Sequence, residues 1–192
     1  MTNEKTLFDD TGLEASPLNE FSGCHEGIIR NFQKLRTLPD LLADQAREQT
    51  GAPQLKQLAK QLLEFFKLVV LEHHAEEEEE LFTAVMESAE EGEEMRLAQQ
   101  SIQRLTAEHR ELESMWRQLM PDMKRLSKGK TASLDTTLAV KLATQYLAHA
   151  DYEEQVFLPL SARILDKNQM SALGLSLHMR HQEDESPAHY IV

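Results

Sequence analysis

Four stretches of this 192-residue sequence carry apolar residues at steps of three and four, and each stripe holds a histidine. The first runs through Leu18, Phe21, His25, Ile28, Phe32 and Leu35, and the second through Leu62, Phe66, Val69, His73 and Glu77. The third takes in Ile102, Leu105, His109, Leu112, Trp116 and Leu119; the fourth Leu138, Leu142, Tyr146, His149, Glu153, Val156 and Leu160. That spacing puts each set on one face of a helix. The four faces must bury one another, and the histidines go in with them. A single histidine on such a stripe is most often a core residue satisfied by a hydrogen bond. Four are harder to place, because each buried imidazole costs free energy until it finds a partner.

Turn signals fix their relative heights. Two residues on antiparallel helices lie level when they are equally far from the connecting turn. The midpoint of His25 and His73 is residue 49, beside Thr50-Gly51; that of His73 and His109 is residue 91, beside Gly92; that of His109 and His149 is Gly129 itself. All four histidines therefore converge on one level of an all-α, up-down-up-down four-helix bundle. Pro39 breaks or kinks the first helix, with LLADQAREQ continuing as a short one, and Pro53 suits the start of the second. Pro121 kinks the end of the third helix, Gly129 caps it, and Pro159 kinks the fourth late. The bundle occupies residues 17–166. A polar arm precedes it at 1–16, and 167–192 hold a short amphipathic helix near 168–182 and a tail.

Composition narrows the function. A formal charge of −13 argues against a phosphate-binding, nucleic-acid surface. A single cysteine, Cys24, allows no intrachain disulfide and fits a reducing compartment. The N-terminus lacks a basic-then-apolar leader pattern, and no apolar run reaches membrane-spanning length, so a soluble cytoplasmic protein is expected. Scarce glycine and proline, with abundant Leu, Ala, Glu, Gln, Lys and Arg, agree with helices.

Two carboxylates complete the constellation. His73 with Glu77, and His149 with Glu153, are i,i+4 pairs that present both groups on one helical face. Neutral imidazoles with carboxylates suit iron, manganese or zinc. Two glutamates from different helices can bridge two cations, and six such ligands exceed what one structural zinc needs. A dinuclear centre follows. The Glu-x-x-His spacing of ferritin-like bundles is absent, as are His-Glu-x-x-His, Cys-x-x-Cys and a glycine-rich phosphate loop.

HADYEEQVFLPL at 149–160 resembles the fourth-helix motif of the hemerythrin-like HHE cation-binding family. HHAEEEEELF at 73–82 resembles the second-helix copy once His73 is aligned with His149; Leu81 and Phe82 then match Phe157 and Leu158, and Thr83 replaces the proline. EHREL at 108–112 is similar to the third-helix motif and GCHEGI at 23–28 to the first. The resemblance spans about residues 18–165. It implies a four-helix bundle with a non-haem di-iron site: His25, His73, His109 and His149 hold the irons, and Glu77 and Glu153 bridge them. In this register His74 supports or packs against the ligands, with an additional-ligand role open to it as to Tyr146, and Glu76, Glu78, Glu79 and Glu80 form mostly a solvated face. Oxygen-carrying hemerythrins place a second histidine four residues after the third-helix ligand. Glu113 stands there in this chain, which weighs against reversible oxygen storage. Three roles are open to it: ligand, acceptor for a bound water, or solvent-facing residue.

Other residues have plainer readings. Cys24 points about 100° away from His25 and reads as a small packing residue. Trp116 and the methionines near it are core. Tyr146 is a hydrogen-bond donor behind the ligands or a packing tyrosine, and His178, His181 and His189 are surface residues. The resemblance implies binding or sensing of oxygen or nitric oxide, or iron handling, with a homodimer as one assembly. The alternatives are an enzyme acting on oxygen, peroxide or nitric oxide or in iron-sulfur cluster repair, and a metal-free interaction bundle.

Overall fold

The computed structural model describes residues 17–48, 52–166 and 168–174, and among these there are helices and turns but no strands. Helix α1 (Pro17–Arg36) leads through Thr37 into α2 (Leu38–Glu48). The Thr37 carbonyl still accepts from the Leu41 amide, so the chain bends before Pro39 without unravelling. Helix α3 occupies residues 52–88, α4 is Glu93–Leu126, and α5 occupies residues 136–164. Asp135 starts α5 by accepting a hydrogen bond from the Leu138 amide at 2.9 Å.

The connections follow the turn chemistry. Gly92 (φ 117°) precedes α4 and Gly129 (φ 69°) follows it. The Gly129 amide bonds to the Leu126 carbonyl and the Lys130 amide to that of Arg125, the paired closure of a Schellman cap. Pro121 does not end α4, which runs on to Leu126. The proline is exposed, while Leu119, Met123 and Leu126 beyond and before it are buried and hold the last turns to the core. The 50–51 turn, the 1–16 arm and His178, His181 and His189 lie outside the described residues. Of the expected C-terminal helix, residues 168–174 are described and helical.

Contacts between helices run in antiparallel pairs. Phe32 meets Phe66 and His25 meets His73 between α1 and α3; Glu78 meets His109, and His74 meets Glu113, between α3 and α4. Glu111 meets Gln145 and Glu108 meets His149 between α4 and α5, and Ser22 meets Glu154 between α1 and α5. The four long elements therefore alternate up and down around one axis. No helix among the described residues is long and apolar enough to cross a membrane.

Three single π-turns interrupt the long helices: Phe66–Val70 and Glu77–Leu81 in α3, and Glu153–Phe157 in α5. Each closes with an amide bonding to the carbonyl five residues back: Leu71 to Phe66, Phe82 to Glu77 and Leu158 to Glu153. A π-turn holds one residue more than an α-turn and rotates everything after it. Val156, expected on the inner stripe, is 43% exposed, and Phe157 takes its place in the core. Val69 is likewise only partly buried, with Val70 fully inside.

The apolar core is divided in two. One cluster includes Ile28, Phe32, Phe66, Trp116 and Tyr146, with Phe66 stacked on Trp116 and Phe32 on Tyr146. The other includes Phe21, Leu81, Phe82, Leu105, Phe157 and Leu160. Between them lies a buried polar layer.

Candidate metal centre

His25 from α1, His73 and Glu77 from α3, His109 from α4, and His149 and Glu153 from α5 form that layer, each no more than 2% exposed. All six expected residues meet. Glu77 faces both sides: Oε1 lies 3.4 Å from His73 Nε2 and 3.9 Å from His25 Nε2, and Oε2 lies 3.3 Å from His109 Nε2. Glu153 does the same, with Oε2 at 3.1 Å from His25 Nε2 and Oε1 at 3.1 Å from His149 Nε2 and 3.8 Å from His109 Nε2. Two overlapping donor groups result, one of His25, His73, Glu77 and Glu153 and one of His109, His149, Glu77 and Glu153, with donor atoms within 4.8 Å of one another in each.

The i,i+4 spacing aims each carboxylate with its histidine, and the π-turn that follows keeps a core residue on the same face. Both Glu77 and Glu153 are the first residues of a π-turn, one turn after a histidine. His73, Glu77 and Leu81 are all buried at steps of four, as are His149, Glu153 and Phe157. An ordinary helix would turn the third member of each trio about 80° from the first, and the π-turn removes most of that drift.

Around the centre runs a collar of carboxylates that accept from the outward Nδ1 atoms. Glu154 lies 2.6 Å from His25 Nδ1, Glu78 2.8 Å from His109 Nδ1, and Glu108 2.9 Å from His149 Nδ1. Each is held in turn: Ser22 donates to Glu154, Arg110 to Glu78, and Arg104 to Glu108, with the Arg104 guanidinium also over the Tyr152 ring. Such partners fix ring orientation and strengthen the inward nitrogen as a donor. This corrects the solvated-face reading of the acidic run: Glu78 belongs to the collar and Glu76 is buried. Sequence offered one signal for the collar. Glu78 and Glu154 occupy the same place in the two copies of the motif, immediately after Glu77 and Glu153.

Three further residues cluster beside the second donor group. His74 is buried, its Nδ1 3.2 Å from Glu113 Oε1 and its Nε2 3.4 Å from the Tyr146 hydroxyl. Glu113 thus faces His74, with Arg110 on its other flank. Tyr146 is both packed, stacked on Phe32, and polar-partnered. Cys24 is exposed, against the expectation of a packing role.

Within the layer, imidazoles and carboxylates set one another's proton affinity. Burial opposes imidazolium at His25 and His109, but Glu153 and Glu77 outweigh it and hold their pKa values up at about 9 and about 10. His149 is also raised, with Glu108 and Glu153 overcoming burial. Burial, reinforced by neighbouring His25, pushes His73 well down, and burial takes His74 to about 4 despite Glu113. Burial and then Glu153 push Glu77 up. Burial acts in the same direction on Glu153, but His109, His149 and His25 outweigh it and hold that carboxylate well down.

Cations fit this arrangement better than protons do. All four oxygens of Glu77 and Glu153, together with His109 Nε2 and His149 Nε2, are buried without a hydrogen-bond partner. Native interiors rarely leave such atoms unpaired. Imidazole nitrogens and carboxylate oxygens are the donors that iron, manganese and zinc take.

Residues 16–161 match the family described as Hemerythrin HHE cation binding domain, a span that takes in α1, α3 and α4, all but the last three residues of α5, and all six converging residues. No curated protein matches the chain. The match covers well over half of the sequence, and the chain belongs to the hemerythrin HHE cation-binding domain family.

Proposed function

We propose that this chain is a two-metal protein, resident metal iron with manganese or zinc as substitutes, that binds or senses oxygen or nitric oxide or handles iron. One observation carries the reading: two fully buried carboxylates, whose oxygens have no hydrogen-bond partner, stand between imidazole nitrogens that face them on both sides. In it, His25 and His73 would hold one ion and His109 and His149 the other, with Glu77 and Glu153 common to both donor groups. Iron held there would supply a redox-active Lewis acid to a small ligand.

The protein residues have separable tasks. Glu154, Glu78 and Glu108 aim three of the imidazoles and keep their Nδ1 protons outside. Leu81, Phe82, Leu105 and Phe157 close one side of the layer and Phe66, Trp116 and Tyr146 the other, which excludes bulk water. With the donors 0–2% exposed, only a very small ligand reaches them, which favours a diatomic molecule over an organic substrate.

Optical spectra of the iron-loaded, reduced protein mixed with oxygen, nitric oxide or peroxide test this. A ligand-dependent band that persists supports binding or sensing. Repeated consumption of the added reagent would transfer the site to the enzyme class. No spectral change with any of the three would remove small-ligand binding.

A further inference from the structure

A cavity of about 490 Å³, the size of a small-molecule site, opens on the surface between α4 and α5. Leu97, Ser101 and Arg104 face it from α4, at the spacing of one helical face, and Tyr152, Val156 and Arg163 from α5. Its charge is the reverse of the chain's. Acidic residues outnumber Lys and Arg by 33 to 20 over the sequence, yet none of the ten residues lining the cavity is acidic and two are arginines. Arg163 is exposed and forms no ion pair among the described residues. Arg104 Nε donates to Glu108 at 2.7 Å, which uses one of the five guanidinium N–H groups. The Ser101 and Tyr152 hydroxyls pair at 3.0 Å, and whichever of them donates, the other keeps its own proton to give. Guanidinium groups and a spare O–H are what a carboxylate needs for charge-assisted hydrogen bonds.

The cavity has an apolar wall as well. Two of the four large apolar side chains exposed among the described residues, Leu97 and Val156, line it. The π-turn at Glu153–Phe157 puts Phe157 in the core and leaves Val156 outside, so the backbone device that serves the metal layer also furnishes this wall. A concave site with an apolar wall and a few convergent polar groups suits a ligand of both characters.

We propose that this cavity binds a small organic anion with a short apolar body, its carboxylate held by Arg163 and Arg104 and its tail laid over Leu97 and Val156. None of the six converging residues lines the cavity, so the site is separate from the metal layer and does not depend on the two-metal reading. Arg104 serves two places, since the Glu108 that it holds also accepts from His149. Arg163 has no such second duty, which makes it the cleaner position to change.

Octanoate titrated calorimetrically into the full chain tests this, with octylammonium and acetate as comparison ligands. Octanoate should bind saturably at one molecule per chain. Octylammonium has the wrong charge and acetate lacks the tail, so each should bind at least about tenfold more weakly. Arg163→Glu and Val156→Asp, both at exposed positions, should each weaken octanoate by about tenfold or more. Lys124→Glu, in the last turn of α4 and outside the cavity, should leave the affinity unchanged. Absence of saturable octanoate binding overturns the proposal. So does an affinity unchanged in Arg163→Glu or in Val156→Asp, an equal loss in Lys124→Glu, or octylammonium or acetate binding as tightly as octanoate.

Discussion

Residues 73–83 of α3 and 149–159 of α5 are two versions of one device. Each has a histidine, a glutamate four later that opens a π-turn, a second glutamate that tethers a histidine on a neighbouring helix, and a buried apolar pair. They differ in what surrounds the central carboxylate. Glu153 lies 3.1 Å from both His25 and His149, whose pKa values are raised, and is held ionised. Glu77 lies 3.3 Å from His109 and 3.4 Å from His73, which burial keeps neutral, and burial and then Glu153 push its own carboxyl up. Their outer supports differ too: Glu108 tethers the α5 histidine, and His73 Nδ1 has no hydrogen-bond partner. One backbone device thus gives two carboxylates with opposite proton affinities, and the neighbours decide which is which.

The largest effect that separates the copies is on the metal-free protein. Glu153→Gln leaves buried imidazolium groups uncompensated and should destabilise it at pH 7 by about 3–5 kcal/mol, the usual cost of removing one partner of a buried ion pair. Glu77→Gln, which replaces a carboxyl already pushed towards neutrality, should cost less. Denaturant unfolding of both variants measures the difference, and equal losses would erase the distinction. A second pair of substitutions tests what the copies share. Phe157→Ala should cost about 3–5 kcal/mol, whereas Val156→Ala should stay within about 0.5 kcal/mol. A larger loss at Val156 would put α5 in ordinary α-helical register.

Smaller effects concern the supports. Glu108→Gln should lower metal affinity by about ten- to hundredfold by loosening His149, and an unchanged affinity would make the collar irrelevant to binding. A graded effect of pH comes last. His25 and His109 are raised to about 9 and about 10, so their contribution to the metal-free fold is complete below an unfolded-state pKa near 6.5. It is lost as pH rises through 9 and 10. The metal-free Tm should therefore fall between pH 7 and 10, while metal-loaded protein, with no such protons to lose, holds its Tm. Parallel curves would contradict the raised proton affinities of His25 and His109.

Much of this was legible in the chain. Stripe spacing placed the four long helices, and the glycine turns put His25, His73, His109 and His149 at one height. The π-turns were not legible from a three-four pattern, because that pattern assumes an unbroken 3.6-residue period. It put Val156 inside, and the residue that enters is Phe157. A signal was present in the unbroken steps of four at 73, 77 and 81 and at 149, 153 and 157, which drift about 80° around an ordinary α-helix. The same cause hid His74: read as an ordinary helix it points away from His73, and only the extra residue at 66–70 turns Leu62, Phe66, Val70 and His74 inward together. Glu78 was concealed differently. In a run of five glutamates, composition does not distinguish the one that reaches His109 from those facing solvent.

The central claim is that Glu77 and Glu153 together hold two cations, and anaerobic titration of the metal-free protein with ferrous iron tests it most directly. Bound iron should saturate at about two ions per chain, with proton release and a marked rise in Tm, because ions bound only by the folded state stabilise it. Saturation at one ion or none, or a Tm unchanged by iron, would contradict the account.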